Sequence, residues 1–202
     1  GGHLSLVGNH LRQGRREEAG RLFTQEPMLE AVLHLAASHE CPRTSSAGRY
    51  FDLAAALLGV CVRAGYEAQP AMQLEGLCDR PVFGSGLFSI EAECLSLEPV
   101  LQALAACRDA RRGAALFHGA MIDGLTAWVA GSCEGSGLER VALSGGCFAN
   151  RWLASCLPDR LRRHGIEVLT GWERVPPGDG GISLGQAWVA ARWLEARETR
   201  ED

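Results

Sequence analysis

The sequence predicts a helix-rich α/β fold. Its last third alternates short strand-like runs with glycine-rich turns and amphipathic helices, in the order β-α-β-α. Such a run indicates a parallel pair of strands joined by a crossover helix. The apolar spacing before it is mostly helical, and a chain of 202 residues with 47% apolar and 22% charged residues is able to bury a core.

The elements before the last third are predicted from apolar residues that recur at helical spacing. Pro27 suits the first position of a helix, and Ser45 or Ser46 suits the cap of the next. Residues 83–86 have the composition of a turn, and residues 88–94 alternate apolar with polar side chains as a strand does. Four expected helices span about 27–38, 67–78, 99–110 and 114–130. Another begins near residue 45 and ends between residues 59 and 65.

The last third supplies the parallel pair of strands. Its expected elements are a Gly/Ser loop at 131–137, a strand at 141–143, a helix from 148, a strand at 166–169 and a helix at 182–194. Pro158 lies inside the first of these helices, so we expect a kink or a restart near Leu157. Ligands of open α/β sheets bind at the carboxyl ends of the strands. A site is therefore expected in the loops that follow the two strands.

Composition excludes several classes of function. All 20 basic residues are arginine, which rules out mechanisms that depend on a lysine. The net charge of -4 gives no basic surplus for nucleic acid, and the longest apolar stretch, 53–62, is about half of what a membrane-spanning helix needs. The eight cysteines include no C-x-x-C pair and indicate buried free thiols in a reducing cytoplasm rather than a disulfide framework.

The strongest local pattern is the glycine turn, residues 144–150 (Ser-Gly-Gly-Cys-Phe-Ala-Asn), between a predicted strand and a helix. Gly145 and Gly146 let backbone N–H groups converge on a phosphate, and a helix amino terminus adds partial positive charge. Without a ligand, the same residues make an ordinary tight turn. Cys147 occupies a position where a thiol pKa can be lowered, but no histidine adjoins it, so we assign it to packing.

The second pattern is the proline-glycine loop, residues 176–181 (Pro-Pro-Gly-Asp-Gly-Gly), which joins the second strand to the last helix. Asp179 is its one acidic residue. Projecting from a stiff turn, it is either a ligand for a metal or a phosphate-bound cation, or simply the cap of the final helix.

Three polar residues outside these turns are candidates for binding or packing. Asp52 lies on an apolar helix face, where a carboxylate needs a partner, either an arginine such as Arg49 or a ligand hydroxyl. Glu67 opens the next helix, a place where acidic residues commonly stabilise a first turn. His118 follows Phe117 in an apolar helix and fits a satisfied, partly buried histidine, since no histidine pair has metal-site spacing.

Five ordered motifs resemble the carboxyl-terminal part of the HypF carbamoyltransferases of nickel-iron hydrogenase maturation, and the likeness spans residues 42–193. They are Thr44-Ser-Ser-Ala-Gly-Arg-x-Phe-Asp52, Tyr66-Glu-x-Gln69, Phe117-His118, Ser144-Gly-Gly-x-x-x-Asn150 and Pro177-x-Asp-Gly-Gly-x-Ser-Leu-Gly-Gln186. The resemblance implies part of an actin/sugar-kinase/Hsp70-like (RNase H-like) nucleotide-binding domain, related to the tRNA threonylcarbamoyl transferases.

The resemblance also implies roles for individual residues. Asp179 matches the family's metal-ligating aspartate, for iron or zinc, with the other ligands outside this chain. The residues implied to bind the nucleotide are Asp52 at the ribose, Glu67 along the nucleotide, and Gly145, Gly146 and Asn150 in the adenylate turn.

The activity implied is transfer of a carbamoyl group from carbamoyl-adenylate, made from ATP, to the carboxyl-terminal cysteine of a HypE-like acceptor protein. Such a reaction needs no nucleophile from this chain. The family's upstream histidine pair is missing from residues 1–41, and the chain does not begin with Met. We therefore expect a fragment inactive by itself, with residues 1–41 a partial helical lead-in and 42–202 the carboxyl-terminal lobe. The alternatives are an O-carbamoyltransferase of small-molecule biosynthesis and a non-catalytic nucleotide-binding module.

Overall fold

The computed structural model describes residues 20, 23, 26–37 and 45–201. The chain divides into two compact units, Gly1–Ser132 and Cys133–Asp202. The boundary expected between residues 41 and 42 lies outside the described residues, so the division into a lead-in and a carboxyl-terminal lobe stays a prediction.

The first unit consists of helices and a β-hairpin over the part that the structure describes. Its elements are α1 (Leu29–Ala37), α2 (Ala47–Leu57), α3 (Gln69–Leu77), β1 (Ser89–Glu91), β2 (Cys94–Ser96), α4 (Glu98–Ala106) and α5 (Ala110–Ser136). The five helices correspond to the five that were predicted, and the last turn of α5 belongs to the second unit.

Helix α2 is deeply buried within the first unit. Residues 51–56 are all buried, so this helix is covered on every side rather than on one stripe. Ser46 takes the extended backbone of an N-cap, and Gly59, just beyond the helix end, has a φ of 66°. The largest fully buried apolar side chains of this unit are Phe51, Leu74, Val100, Leu101, Leu104, Phe117, Met121 and Ile122.

Glycines on α5 allow other segments to approach this helix at backbone distance. A Cβ added to Gly119 would overlap the carbonyl oxygen of Val82, and one added to Gly124 would lie 2.9 Å from Leu95 Cδ1. The Val82 N–H donates to the Ala115 carbonyl oxygen at 2.9 Å. These contacts need residues without side chains at both positions of α5.

The prediction of a loop at 131–137 is wrong for most of that segment, because α5 continues to Ser136. The Leu138 N–H donates to the Cys133 carbonyl oxygen at 3.0 Å, and Gly137 has a φ of 68°. The helix therefore ends at the last glycine of the segment. An interior glycine costs a helix only about 1 kcal/mol, which burial of Cys133 helps to offset.

The single strand expected at 88–94 is also wrong, because β1 and β2 form an antiparallel hairpin. Its turn is made by Ala92 and Glu93, whose φ angles are 47° and 63°. Hairpin turns with positive φ at both central residues are of type I′ and normally use Asn-Gly or Asp-Gly, so this sequence gives no turn signal. The Trp128 Nε1–H donates to the Glu93 carbonyl oxygen at 2.6 Å and holds the turn.

The second unit contains β3 (Arg140–Leu143), α6 (Arg151–Arg163), β4 (Glu167–Thr170) and α7 (Ile182–Glu201). Strands β3 and β4 pair in parallel, with Arg140 opposite Glu167 and Leu143 opposite Thr170. The predicted β-α-β-α unit is therefore confirmed. A short 3₁₀ helix follows each strand, Gly146–Ala149 after β3 and Gly178–Gly181 after β4.

Helix α6 connects the two strands and continues through Pro158. Of the kink or restart expected near Leu157, the restart is therefore wrong, and the kink stays a prediction. Leu153, Leu157 and Leu161 recur at i, i+4 spacing and are buried. An interior proline costs a helix about 3 kcal/mol or more, whereas each fully buried leucine contributes about 1.5–3 kcal/mol. Packing of this stripe is enough to hold the helix together.

None of the seven cysteines that the structure describes forms a disulfide. Cys61, Cys78 and Cys133 are buried as expected, whereas Cys94 is exposed and the other three are half-buried. Across the described residues, the helices are too short or too polar to cross a membrane.

Candidate functional site

Asp52 lies on α2 in the first unit and is only 3% exposed. Its Oδ2 is 2.9 Å from Arg49 Nη2, one helical turn earlier. Of the two partners that the sequence allowed, the arginine is therefore present. An ion pair of this kind orients a carboxylate inside an apolar helix and gives the buried group a polar partner. The role of Asp52 at a ribose hydroxyl stays a prediction.

Glu67 is exposed and belongs to the turn just before α3 rather than to the first turn of that helix. The turn is shaped by its neighbours: Ala68 has a left-handed φ of 61°, and the Gly65 N–H donates to Gln69 Oε1 at 2.6 Å. The contact between Glu67 and a nucleotide stays a prediction.

The glycine turn follows β3 directly, in the second unit. Gly145 has a φ of 109° and a ψ of 161°, a conformation that essentially only glycine adopts. A Cβ added to Gly146 would have no atom within 4 Å, so the space beside it is open. The turn thus presents backbone to an open surface, as a ligand held by main-chain amides requires.

Asn150 ends the glycine turn and serves as the N-cap of α6. Its Oδ1 accepts hydrogen bonds from the N–H groups of Trp152 and Leu153, both at 3.1 Å, and the residue is 7% exposed. These bonds satisfy two of the donors that every helix start leaves unpaired. Asn150 therefore fixes the turn to the helix, and its contact with adenylate stays a prediction.

The proline-glycine loop approaches the glycine turn closely. Gly178 has a φ of 79°, and a Cβ added there would lie 3.0 Å from Gly146 Cα and 3.3 Å from Gly146 N. The two loops therefore meet at backbone distance at the carboxyl edge of β3 and β4. Sequence reasoning did not single out Gly178. The Pro-Pro-Gly run signals a turn, but only the folded chain shows what that glycine approaches.

Asp179 is exposed and is the second residue of the 3₁₀ turn that leads into α7. The Ile182 N–H bonds to its main-chain carbonyl oxygen. Among the residues that the structure describes, no three His, Cys, Asp or Glu side chains come together as a metal would need. The described donors therefore do not make a metal site, and Asp179 as a metal ligand stays a prediction.

The folded chain also brings together an aromatic pair that sequence reasoning missed. Phe148, in the glycine turn, stacks on Trp172, just beyond β4, with ring centroids 4.9 Å apart and an angle of 18° between the ring planes. No spacing rule connects two residues so far apart in the sequence.

The candidate residues are thus distributed over both units. Asp52 and Glu67 belong to the first unit. The glycine turn, with Gly145, Gly146 and Asn150, and the loop that carries Asp179 come together at one edge of the second unit.

Two further residues were assigned to packing. His118 is completely buried, more deeply than predicted, with Nδ1 2.8 Å from the Ala114 carbonyl oxygen and its ring edge-on to Phe51. Cys147 is half-buried within the glycine turn. His118 is therefore part of the aromatic core of the first unit.

Comparison with known proteins gives a consistent result. Residues 4–186 match the family model described as "Carbamoyltransferase, Kae1-like Domain, second subdomain". Carbamoyltransferase HypF2 of Cupriavidus necator is 38% identical over 208 residues, which cover 88% of this chain and 26% of that protein. A carbamoyltransferase HypF homolog of the same organism is 42% identical over 189 residues, covering 87% of this chain and 46% of the homolog.

Solved structures agree with these matches. A full-length HypF in its phosphate- and nucleotide-bound form superposes with a TM-score of 0.73 at 29% identity, over 89% of this chain and 25% of that one. HypF of T. kodakarensis gives a TM-score of 0.69 at 26% identity, over 84% of this chain and 22% of that one. The predicted fold class is therefore confirmed. The chain spans only 22% to 46% of the length of these relatives. It belongs to the HypF carbamoyltransferase family, in the second subdomain of its Kae1-like domain.

Proposed function

We propose that this chain supplies the nucleotide-holding part of a carbamoyltransferase that uses carbamoyl-adenylate as donor and the carboxyl-terminal cysteine of a HypE-like protein as acceptor. The observation that carries the proposal is the open backbone at Gly146, braced by Gly178 at the carboxyl edge of a parallel sheet. Membership of the HypF family supports it, as does a related HypF solved with phosphate and nucleotide bound.

In the proposed reaction, the acceptor thiolate attacks the carbamoyl carbon. A sulfur–carbon bond forms, the bond from that carbon to the phosphate oxygen breaks, and AMP leaves with the electron pair. The part of this chain is to hold AMP through main-chain N–H groups of the glycine turn, which stabilise negative charge without lysine. Asn150 keeps that turn in place through its bonds to α6.

Asp52 and Glu67 have supporting roles in the proposal. Asp52, oriented by Arg49, accepts a hydrogen bond from a ribose hydroxyl, and Glu67 lines the nucleotide. The acceptor cysteine supplies the nucleophile, so no thiol of this chain takes part.

A divalent metal, iron or zinc, enters the proposal only through Asp179. Since the described donors do not form a metal site, Asp179 would supply one ligand and the others would come from outside the chain. We assign no chemical step to the metal.

The proposal is tested by Gly146→Ala. The fold leaves the position of the new methyl group empty, so thermal stability should be unchanged while the methyl occupies the space of the ligand. We expect AMP affinity, measured by calorimetry on the chain, to fall about tenfold or more, a change of about 1.4 kcal/mol.

Gly135→Ala is the matched control, because a Cβ there also meets nothing within 4 Å but lies at the end of α5. It should leave AMP affinity unchanged. A wild-type chain that binds no AMP, or a Gly146→Ala chain that binds it as tightly as the wild type, would contradict the proposed function.

A further inference from the structure

The stacked rings of Phe148 and Trp172 form a planar surface beside the glycine turn. The rings lie nearly parallel, at 18°, with centroids 4.9 Å apart, and both residues are half-buried. Apolar rings stacked in this way usually fill a core. Here they remain partly accessible at the edge of a small sheet.

The chain places this pair at the same edge as the glycine turn. Leu143 and Thr170, the last residues of β3 and β4, are opposite each other. Phe148 lies in the 3₁₀ turn that begins at Gly146, and Trp172 comes two residues after Thr170. The stacked pair therefore belongs to the two loops that follow the strands, and Phe148 is two residues from Gly146 in the chain.

The two features offer different chemistry to one ligand. The main-chain amides of the turn are suited to an anionic phosphate. They provide no apolar surface for a flat heterocycle, which the rings do provide. Stacking on aromatic side chains is favourable for any nucleobase, because every base has a π-face.

We propose that Phe148 and Trp172 form the platform on which the base of the bound nucleotide stacks. The inference rests on the proposed function and assigns the base-binding residues of that same site. The phosphate is held by the glycine turn, and the base by the outer face of the aromatic pair.

Two ligands distinguish base binding by the aromatic pair from phosphate binding by the glycine turn. AMP carries the base, whereas ribose 5-phosphate has the same sugar and phosphate without it. Affinities for both are measured by calorimetry on the wild-type chain, Trp172→Leu and Trp172→Phe. Trp188→Leu is the control, because Trp188 is 67% exposed on α7 and is not part of the pair.

We expect Trp172→Leu to weaken AMP binding on the order of tenfold while leaving ribose 5-phosphate unchanged. Trp172→Phe keeps an aromatic ring and should retain most of the AMP affinity. The control should match the wild type for both ligands. Melting temperatures of all variants show whether each one folds, and Trp172→Phe remains informative if Trp172→Leu does not fold.

Three results would overturn the inference. Equal losses for AMP and ribose 5-phosphate would mean that the rings only brace the glycine turn. Unchanged AMP binding in the Trp172 variants would mean that the base lies elsewhere. A wild-type chain that binds neither ligand would refute the proposed function itself, which distinguishes the two failures.

Discussion

The two units use their apolar residues differently. In the first, Leu74, Phe117 and Ile122 are completely buried. In the second, burial is concentrated between α6 and the strands, and along α7 both Trp188 and Val189 are 67% exposed. Parallel sheets are normally covered on both faces, yet Leu169 of β4 is 45% exposed. Among the described residues, the first unit thus holds most of the largest fully buried side chains. The second unit has a smaller core and carries two shaped loops at its sheet edge.

The largest expected effect concerns the core of the first unit. Phe117→Ala removes a ring that packs edge-on against Phe51, with centroids 5.0 Å apart, and leaves a cavity. We expect the free energy of unfolding to fall by about 3–5 kcal/mol in urea denaturation. Trp188→Ala, an exposed aromatic of the second unit, should change it by less than about 0.5 kcal/mol. If the two variants lost equal free energy of unfolding, the proposed difference in burial between the two units would be contradicted.

The next effect concerns the loop contact of the second unit. Gly178→Ala places a methyl group against the Gly146 backbone at a φ of 79°, so we expect a local loss of about 1–2 kcal/mol. Hydrogen exchange should show faster exchange of β3 and β4 amides, with α2 amides unchanged. Gly135→Ala should show neither change. Acceleration in α2 would mean that the two units unfold together.

A smaller effect is expected at the helix cap of the same unit. Asn150→Ala removes the acceptor of two backbone hydrogen bonds, at 3.1 Å each, and should cost about 1 kcal/mol of stability, measured by thermal unfolding. Asn150→Asp keeps a capping oxygen and should recover most of the loss. If Asn150→Ala is as stable as the wild type, another group holds the start of α6.

The smallest effect is a pH dependence in the first unit. Burial, and secondarily the negative charge of Glu98, raise the pKa of Tyr50 above its usual value of 10.0. The folded protein therefore holds the phenol proton more tightly than the unfolded chain. The resulting stability is complete below about pH 10 and is lost as pH rises through the folded pKa.

An absorbance titration measures this shift directly. The chain has only two tyrosines, so Tyr66→Phe leaves Tyr50 as the one phenol. Its midpoint should lie above 10.0, and adding Glu98→Gln should lower it. Above that pH, Tyr50→Phe should lose less stability than the wild type. A midpoint at or below the usual value would contradict the burial of this side chain.

Sequence reasoning succeeded where a single local signal decides the structure. The β-α-β-α unit follows from its apolar pattern and glycines, and the glycine turn was found from two adjacent residues, Gly145 and Gly146. It failed where local signals were misleading. The glycines near 131–137 suggested a loop although most of the segment is helical, and Ala92-Glu93 gave no sign of a hairpin turn. In both places, packing overrides the preference of individual residues.

The sequence by itself determined the fold class, the position of the glycine turn and the family, because periodicity, turn residues and ordered motifs are properties of the chain. Only the tertiary structure decided that Gly178 meets Gly146, that Phe148 stacks on Trp172 and that Asp52 pairs with Arg49. The first two contacts join residues far apart in the sequence. In the third, Arg49 is one of the two kinds of partner that the sequence allowed for Asp52. Such contacts depend on how elements pack, and no local spacing rule specifies that.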